Sequence, residues 1–167
     1  IDFKPLKQPF GGPEIGRIFV TTFDNPWNWI VRFDVGDLVR LHPTGNCPCG
    51  RGDGMLVDAI EGRIGNVTFT TKGGLVTTKA LDDRLAQIPG IRDYHFEQHS
   101  ARAYGLEVML SGSPAKAVDS IRATLKDLYG SDGVYDIAVR ANLLPGPAGK
   151  FRRTQCNMKF EESDLFE

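Results

Sequence analysis

Long apolar runs are missing from this sequence, and cysteine is nearly so. No stretch approaches the roughly 20 apolar residues that a membrane-crossing helix needs. The first residues also lack the basic and apolar regions of a signal peptide, so the cytoplasm is the expected setting and no membrane partner is expected. Three cysteines, Cys47, Cys49 and Cys156, are an odd and sparse set that argues against a disulfide framework and for a reducing compartment. A surplus of one charge is missing as well. The 20 Lys and Arg against 21 Asp and Glu leave a formal net charge of −1, which removes the electrostatic reason to expect a nucleic-acid partner. Regular pattern is lacking at the start, where residues 1–13 hold Pro5, Pro9, Pro13, Gly11 and Gly12. That opening, with Ile1 rather than Met, reads as a linker or as the middle of a longer chain. Internal repeats and low-complexity tracts are absent.

What is present has the balance of a globular protein, with 41% hydrophobic and 25% charged residues in a chain of 167. Residues 17–23 (RIFVTTF), 29–34 (WIVRFD) and 38–42 (LVRLH) are rich in β-branched and aromatic side chains and predict strands. A turn-rich segment follows over 43–54, then a further strand over 55–61. Near Gly62 the pattern changes. Residues 67–71 and 75–78 flank Lys72-Gly73-Gly74, a hairpin turn. Leu81, Leu85 and Ile88 share one face of a helix over 79–88 that Pro89-Gly90 stops. Strands over 94–99 and 106–110 follow. A second helix has Ser113 as cap, Pro114 at its first position and Gly130 past its end, with Val118, Ile121, Leu125 and Leu128 on one stripe. A last strand covers 135–141. The fold class is therefore α+β: a short β segment over 1–62, then a small sheet-plus-two-helices domain over 63–167.

Four segments, in order, resemble the adenylate-forming enzymes, in particular their phenylacetate-CoA ligase and coenzyme F390 synthetase branch. Arg32-Phe33-Asp34-Val35-Gly36-Asp37-Leu38 is similar to the family's Y-R-T-G-D-L motif, with its threonine lost. Cys47-Pro48-Cys49-Gly50-Arg51 is similar to the C-x-C-G-R of that branch. Glu61-Gly62-Arg63, followed by Lys72-Gly73 and the helix holding Leu81 and Asp82, resembles the hinge that opens the mobile C-terminal domain. Residues 144–153, from Leu144-Pro145 to Gly149-Lys150 and Arg153, are similar to the terminal L-P-x-x-x-x-G-K-x-x-R loop. The resemblance covers roughly residues 15–155. It implies that residues 1–62 end the large N-terminal adenylation domain and that residues 63–167 form the small rotating one. The family's phosphate-binding loop and acyl pocket have no counterpart here, so the chain reads as a C-terminal fragment that is inactive in isolation.

The resemblance also implies a reaction and roles. An acid, an aryl acid by default, is activated with ATP and Mg to an acyl-adenylate, which coenzyme A then converts to a thioester. Adenylation gathers negative charge on phosphoryl oxygens, and a cation aimed there stabilises it. The family assigns that task to Lys150. Asp37 is implied to bind the ribose hydroxyls, because a carboxylate accepts two hydrogen bonds. Arg63 approaches the nucleotide, and Gly73 and Gly74 leave room for the pantetheine arm. Without the family, these are a solvated lysine, a turn aspartate, a surface arginine and a hairpin turn. Gly146 to Lys150 is not a P-loop, since its spacing is two residues short and Phe151 stands where Ser or Thr is required.

Cys47 and Cys49 are either two ligands of a structural zinc, with His42 a third candidate and the remaining ligands implied by the resemblance to come from the upstream domain, or a turn with two free thiols. His95 and His99 share a strand face and are read as solvated. Trp27 and Trp29 are read as packing at the edge of the large domain, and Arg152, Arg153 and Lys159 as a basic cluster offset by Glu161, Glu162 and Asp164. A homodimer is the one assembly considered. The competing reading is a stand-alone α+β module, derived from the ligase fold, for ligand binding or protein contact.

Overall fold

Burial alternates residue by residue along two strands, Ile91–Gln98 and Ala103–Leu110, the signature of a sheet with one face in a core and one in water. A computed structural model of the chain, which describes all residues except 11, 45, 46, 51–53, 113, 147, 148, 150 and 167, arranges these strands and their neighbours in two compact units. The first comprises Ile1–Gly65 with Phe160–Glu167, and the second Asn66–Lys159.

The first unit is a four-stranded antiparallel meander of β1 (Asp2–Pro5), β2 (Ile15–Val20), β3 (Phe33–Leu41) and β4 (Val57–Arg63), in that spatial order. Ile15, Leu38 and Val39 are its buried centre. Leu38 and Val39 are both buried although adjacent, because the β3–β4 register shifts between them, and a bulge re-aims consecutive side chains. Glu61 is buried and paired with Arg40 at 2.7 Å. Residues after Phe160 return to this unit, unlike the sequence-based boundary: Leu6 bridges Phe166, the Lys7 amide donates to the Leu165 carbonyl at 2.9 Å, and Arg17 meets Glu162 at 3.0 Å.

Three expectations are corrected here. Residues 2–5 are not linker but a strand paired with β2. The two strands expected over 29–34 and 38–42 are one, beginning at Phe33 and running through Gly36, whose φ of +78° bends it without breaking it. Trp27 and Trp29, expected to pack, are each 88% exposed among the described residues of this unit.

In the second unit, a two-stranded hairpin, β5 (Thr68–Phe69) and β6 (Leu75–Val76), leads into α1 (Thr78–Leu85). Thr77 caps that helix, its side chain accepting from the Ala80 amide. β7 (Ile91–Gln98), β8 (Ala103–Leu110), α2 (Pro114–Tyr129), β9 (Val134–Val139) and β10 (Thr154–Cys156) follow. The sheet order is β10-β7-β8-β9, with β7 and β8 antiparallel and both outer pairs parallel. The α2 crossover makes the parallel β8–β9 pair possible. Leu81 and Leu85 of α1 and Ile121 and Leu125 of α2 join Phe96, Tyr104, Leu106 and Val108 in one core. Rings of Phe96, Tyr104, Tyr129 and Tyr135 stack in it at 4.8–5.8 Å between centroids. Buried Gln98 ties the hairpin to the sheet by accepting from the Phe69 amide at 2.7 Å and donating to its carbonyl at 3.0 Å. β10 was not anticipated. The expected cap, Ser113, lies outside the described residues. No helix among the described residues is long and apolar enough to cross a membrane.

Candidate functional site

β3 and β4 are antiparallel neighbours whose register sets Asp37 opposite Arg63. The Arg63 Nε lies 3.5 Å from Asp37 Oδ1, and its Nη2 donates to the Val35 carbonyl at 2.8 Å. Gly36 lies beneath that guanidinium, which an added Cβ would meet at 3.1 Å. The glycine thus serves both the positive φ and the close approach. Two residues 26 apart, named from separate motifs, therefore form one partly exposed cluster.

The other carboxylate of the first motif has a different task. Asp34 receives Arg17, with Nε donating to Oδ1 at 2.7 Å, and also accepts from the Gly36 amide at 2.8 Å. It is committed to holding the turn. Among the described residues Asp37 has Arg63 as its side-chain partner, and its side chain is one-third exposed. That leaves acceptor capacity for two adjacent hydroxyls. Arg32 stands at φ +46°, with Asp2 at 3.3 Å and the Phe19 ring 5.7 Å beneath its guanidinium, so it belongs to the sheet edge.

In the second unit, Gly73 and Gly74 form the β5–β6 turn. Gly73 has φ +83°, and no atom lies within 4 Å of where a Cβ would stand. Its amide donates to the Thr70 carbonyl at 2.9 Å, and the Gly74 amide donates to Thr70 Oγ1 at 2.9 Å. Lys150 lies outside the described residues, as does Arg51. Of its flanks, the Gly149 amide donates to the Gly146 carbonyl at 2.8 Å, with Gly149 at φ +70°.

The strand after that loop is anchored by contacts that the sequence did not predict. Arg153 Nη1 lies 3.2 and 3.3 Å from the two Asp82 oxygens, and its Nε 3.5 Å from Asp93. The Tyr94 hydroxyl donates to Asp82 at 2.6 Å. Burial, then Asp82, push the Tyr94 phenol far above its ordinary range, while Asp82 and Asp93 outweigh burial and raise Arg153, so donor and cation keep their protons. Arg153 is therefore not part of a basic cluster answered by Glu161, Glu162 and Asp164. The signal available was the arginine closing the terminal motif; its partners are 60 and 71 residues away in sequence, and only the fold brings them to it.

The open face of this sheet carries a groove of about 640 Å³ lined by His95, Glu97, His99, Glu107, Arg140 and Phe151, among others. His95 Nδ1 lies 2.6 Å from the Arg152 carbonyl, which only accepts, so that nitrogen carries the proton. His99 lies over Gly105, where a Cβ would approach its Nε2 to 2.9 Å.

Cys47 and Cys49 place their sulfurs 2.7 Å apart. The His42 Nδ1 lies 3.0 Å from the Thr44 hydroxyl. Among the described residues no three His, Cys, Asp or Glu side chains converge on a point that could hold a metal. Two sulfurs supply half of a tetrahedral zinc shell, so the residues described do not fit a zinc.

No protein-family model matches the sequence, and no curated protein sequence matches it. Solved structures do share its fold. One is 2-hydroxyisobutyryl-CoA ligase in the postadenylation state with 2-HIB-AMP, at 19% identity and a TM-score of 0.64, covering 97% of this chain and 36% of the ligase. A second is a fatty acyl-adenylate ligase, from work on the E. coli and L. pneumophila enzymes, at 16% identity and a TM-score of 0.54, covering 91% and 29%. A third is the amide bond synthetase McbA from Marinactinospora thermotolerans, at 15% identity and a TM-score of 0.52, covering 89% and 32%. The chain spans about a third of the length of each. Its α+β fold is that of the C-terminal portion of adenylate-forming enzymes.

Proposed function

We propose that this chain is the C-terminal part of an ATP-dependent acid ligase of the phenylacetate-CoA ligase type, with an aryl acid as substrate and coenzyme A as acyl acceptor. The observation that carries the reading is the Asp37–Arg63 pair. A carboxylate with spare acceptor capacity stands beside a half-exposed guanidinium in a fold shared with acyl-adenylate-handling ligases. Asp37 binds the ribose hydroxyls, and Arg63 adds positive potential near the nucleotide. Lys150 neutralises charge on the α-phosphoryl oxygens as the acid's carboxylate oxygen attacks phosphorus and magnesium pyrophosphate departs. In the second half-reaction the thiol sulfur attacks the acyl carbon and AMP leaves. Gly73 and Gly74 present a hairpin without side chains along which the pantetheine arm passes. Residues 1–65 with 160–167 belong to the end of the adenylation domain, and 66–159 form the smaller domain.

The test is acid-dependent pyrophosphate release by the full-length parent protein over a panel of aryl and alkyl acids, wild type against Lys150→Ala. Release by wild type and a loss of about 100-fold or more in the variant are expected. A variant as active as wild type, or no release with any acid, refutes the reading and favours a binding module. Product analysis with coenzyme A and with primary amines identifies the acceptor, since a CoA ligase and an amide bond synthetase both share this fold.

A further inference from the structure

We propose that Arg153 is a positioning residue for adenylation, clamped by Asp82 and Asp93 so that the chain directly after Lys150 is held in one direction. This rests on the reading of Lys150 given above. Beyond Lys150, three consecutive residues are tied to other elements. The Arg152 carbonyl accepts from His95 Nδ1 at 2.6 Å. The Arg153 carbonyl accepts from the Phe96 amide at 2.8 Å, while its side chain spans Asp82 on α1 and Asp93 on β7. Thr154 Oγ1 donates to the Asn66 carbonyl at 2.8 Å and lies 2.6 Å from Thr78 Oγ1. Since the Thr154 proton is used on Asn66, Thr78 is the donor of that second bond. Asp82 is itself held by the Tyr94 hydroxyl, and the Arg153 guanidinium lies 5.9 Å over the Tyr94 ring.

Magnitudes separate a positioning role from a stabilising one. Arg153 is 49% exposed and Asp82 32%, and ion pairs this open to water add little to global stability. A planar guanidinium held by two carboxylates instead fixes direction. Lys150 is three residues upstream, so at most about 11 Å of extended chain separates their Cα atoms. Misplacement of about an ångström at a reacting centre costs about 100-fold in rate, so an anchor this near in the chain has the reach that a positioning role requires.

The test uses the full-length parent protein with Arg153→Met, Arg153→Lys, Asp82→Asn and the swapped pair Asp82→Arg with Arg153→Asp. Arg153→Met is expected to lower kcat of acid-dependent ATP–pyrophosphate exchange on the order of 10- to 100-fold. The KM for ATP and acid, and Tm, stay near wild type. Thioester formation from supplied acyl-adenylate is unchanged, Arg153→Lys falls between, and the swap recovers most of the loss. Exchange at the wild-type rate in Arg153→Met overturns the proposal. So does an equal fall of both half-reactions together with Tm, or a swap that rescues nothing. Lys150→Ala serves as control. If it loses exchange and Arg153→Met does not, the clamp alone fails; if wild type shows no exchange, the functional reading fails and the clamp with it.

Discussion

At the scale of single residues, two aspartates three apart show how context assigns chemistry. Asp34 already accepts from Arg17 and the Gly36 amide, whereas Asp37 faces Arg63 alone among the described residues. In the parent protein Asp37→Asn is expected to raise the KM for ATP about tenfold with little change in Tm, the loss of a hydrogen bond to a charged group. Asp34→Asn is expected to do the opposite, lowering Tm and sparing KM; steady-state kinetics and thermal melts on both variants decide it. The tyrosines make a second prediction. Burial pushes Tyr135 up to about 12 from an ordinary 10.0, and burial pushes Tyr94, Tyr104 and Tyr129 higher still. As pH rises past about 10 the unfolded chain releases these protons first. Stability is therefore flat below that point and falls above it, by about 1.4 kcal/mol per pH unit for each proton. Denaturant midpoints between about pH 8 and 11 should show that break, and Tyr135→Phe should lessen the slope.

At the scale of elements, what was legible and what was not follows from where each element's stability comes from. α2 carries its own address: Ile121 and Leu125 are fully buried from the stripe that the sequence displays. Asp37 and Arg63 each sit in a local pattern that the sequence displays, but their pairing across β3 and β4 belongs to the fold. β1 and β10 are four and three residues long and have no period of their own to show. They are strands because β2 and β7 lend them partners, and long-range pairing leaves no local trace. The Arg153 clamp was hidden likewise, being built across α1, β7 and the start of β10. The exposed tryptophans fail the opposite way: aromatic content suggested packing, but the loop holding Trp27 instead closes on the Asn25 side chain, which accepts from the Trp27 amide at 3.1 Å. Where an element's face is the core, deletion is costly. Leu125→Ala is expected to destabilise the protein by about 2–5 kcal/mol in urea unfolding. Gly130→Ala should also destabilise it, because its φ is +124° and an added Cβ would collide with Thr71 Oγ1.

At the scale of the whole molecule, the chain leaves its first unit at Gly65 and returns at Phe160, so the second unit is an insertion with both ends tied nearby. The Asn66 carbonyl accepts from Thr154 Oγ1, which joins the first residue of the unit to the start of its last strand. Every member of the hydrophobic core cluster falls between Val76 and Tyr135, so the unit holds within itself the apolar burial that drives folding. A polypeptide of residues 66–159 is therefore expected to fold alone, with one cooperative transition in urea by circular dichroism and tyrosine fluorescence. A shorter version ending at residue 149 removes β10, the Thr154 bonds and the Arg153 clamp while leaving that core cluster whole. It is expected to unfold cooperatively at a lower urea midpoint. A 66–159 polypeptide without a cooperative transition would show that the unit depends on residues of the first, 1–65 or 160–167. Equal midpoints for the two polypeptides would show that β10 is a passenger on a sheet complete without it.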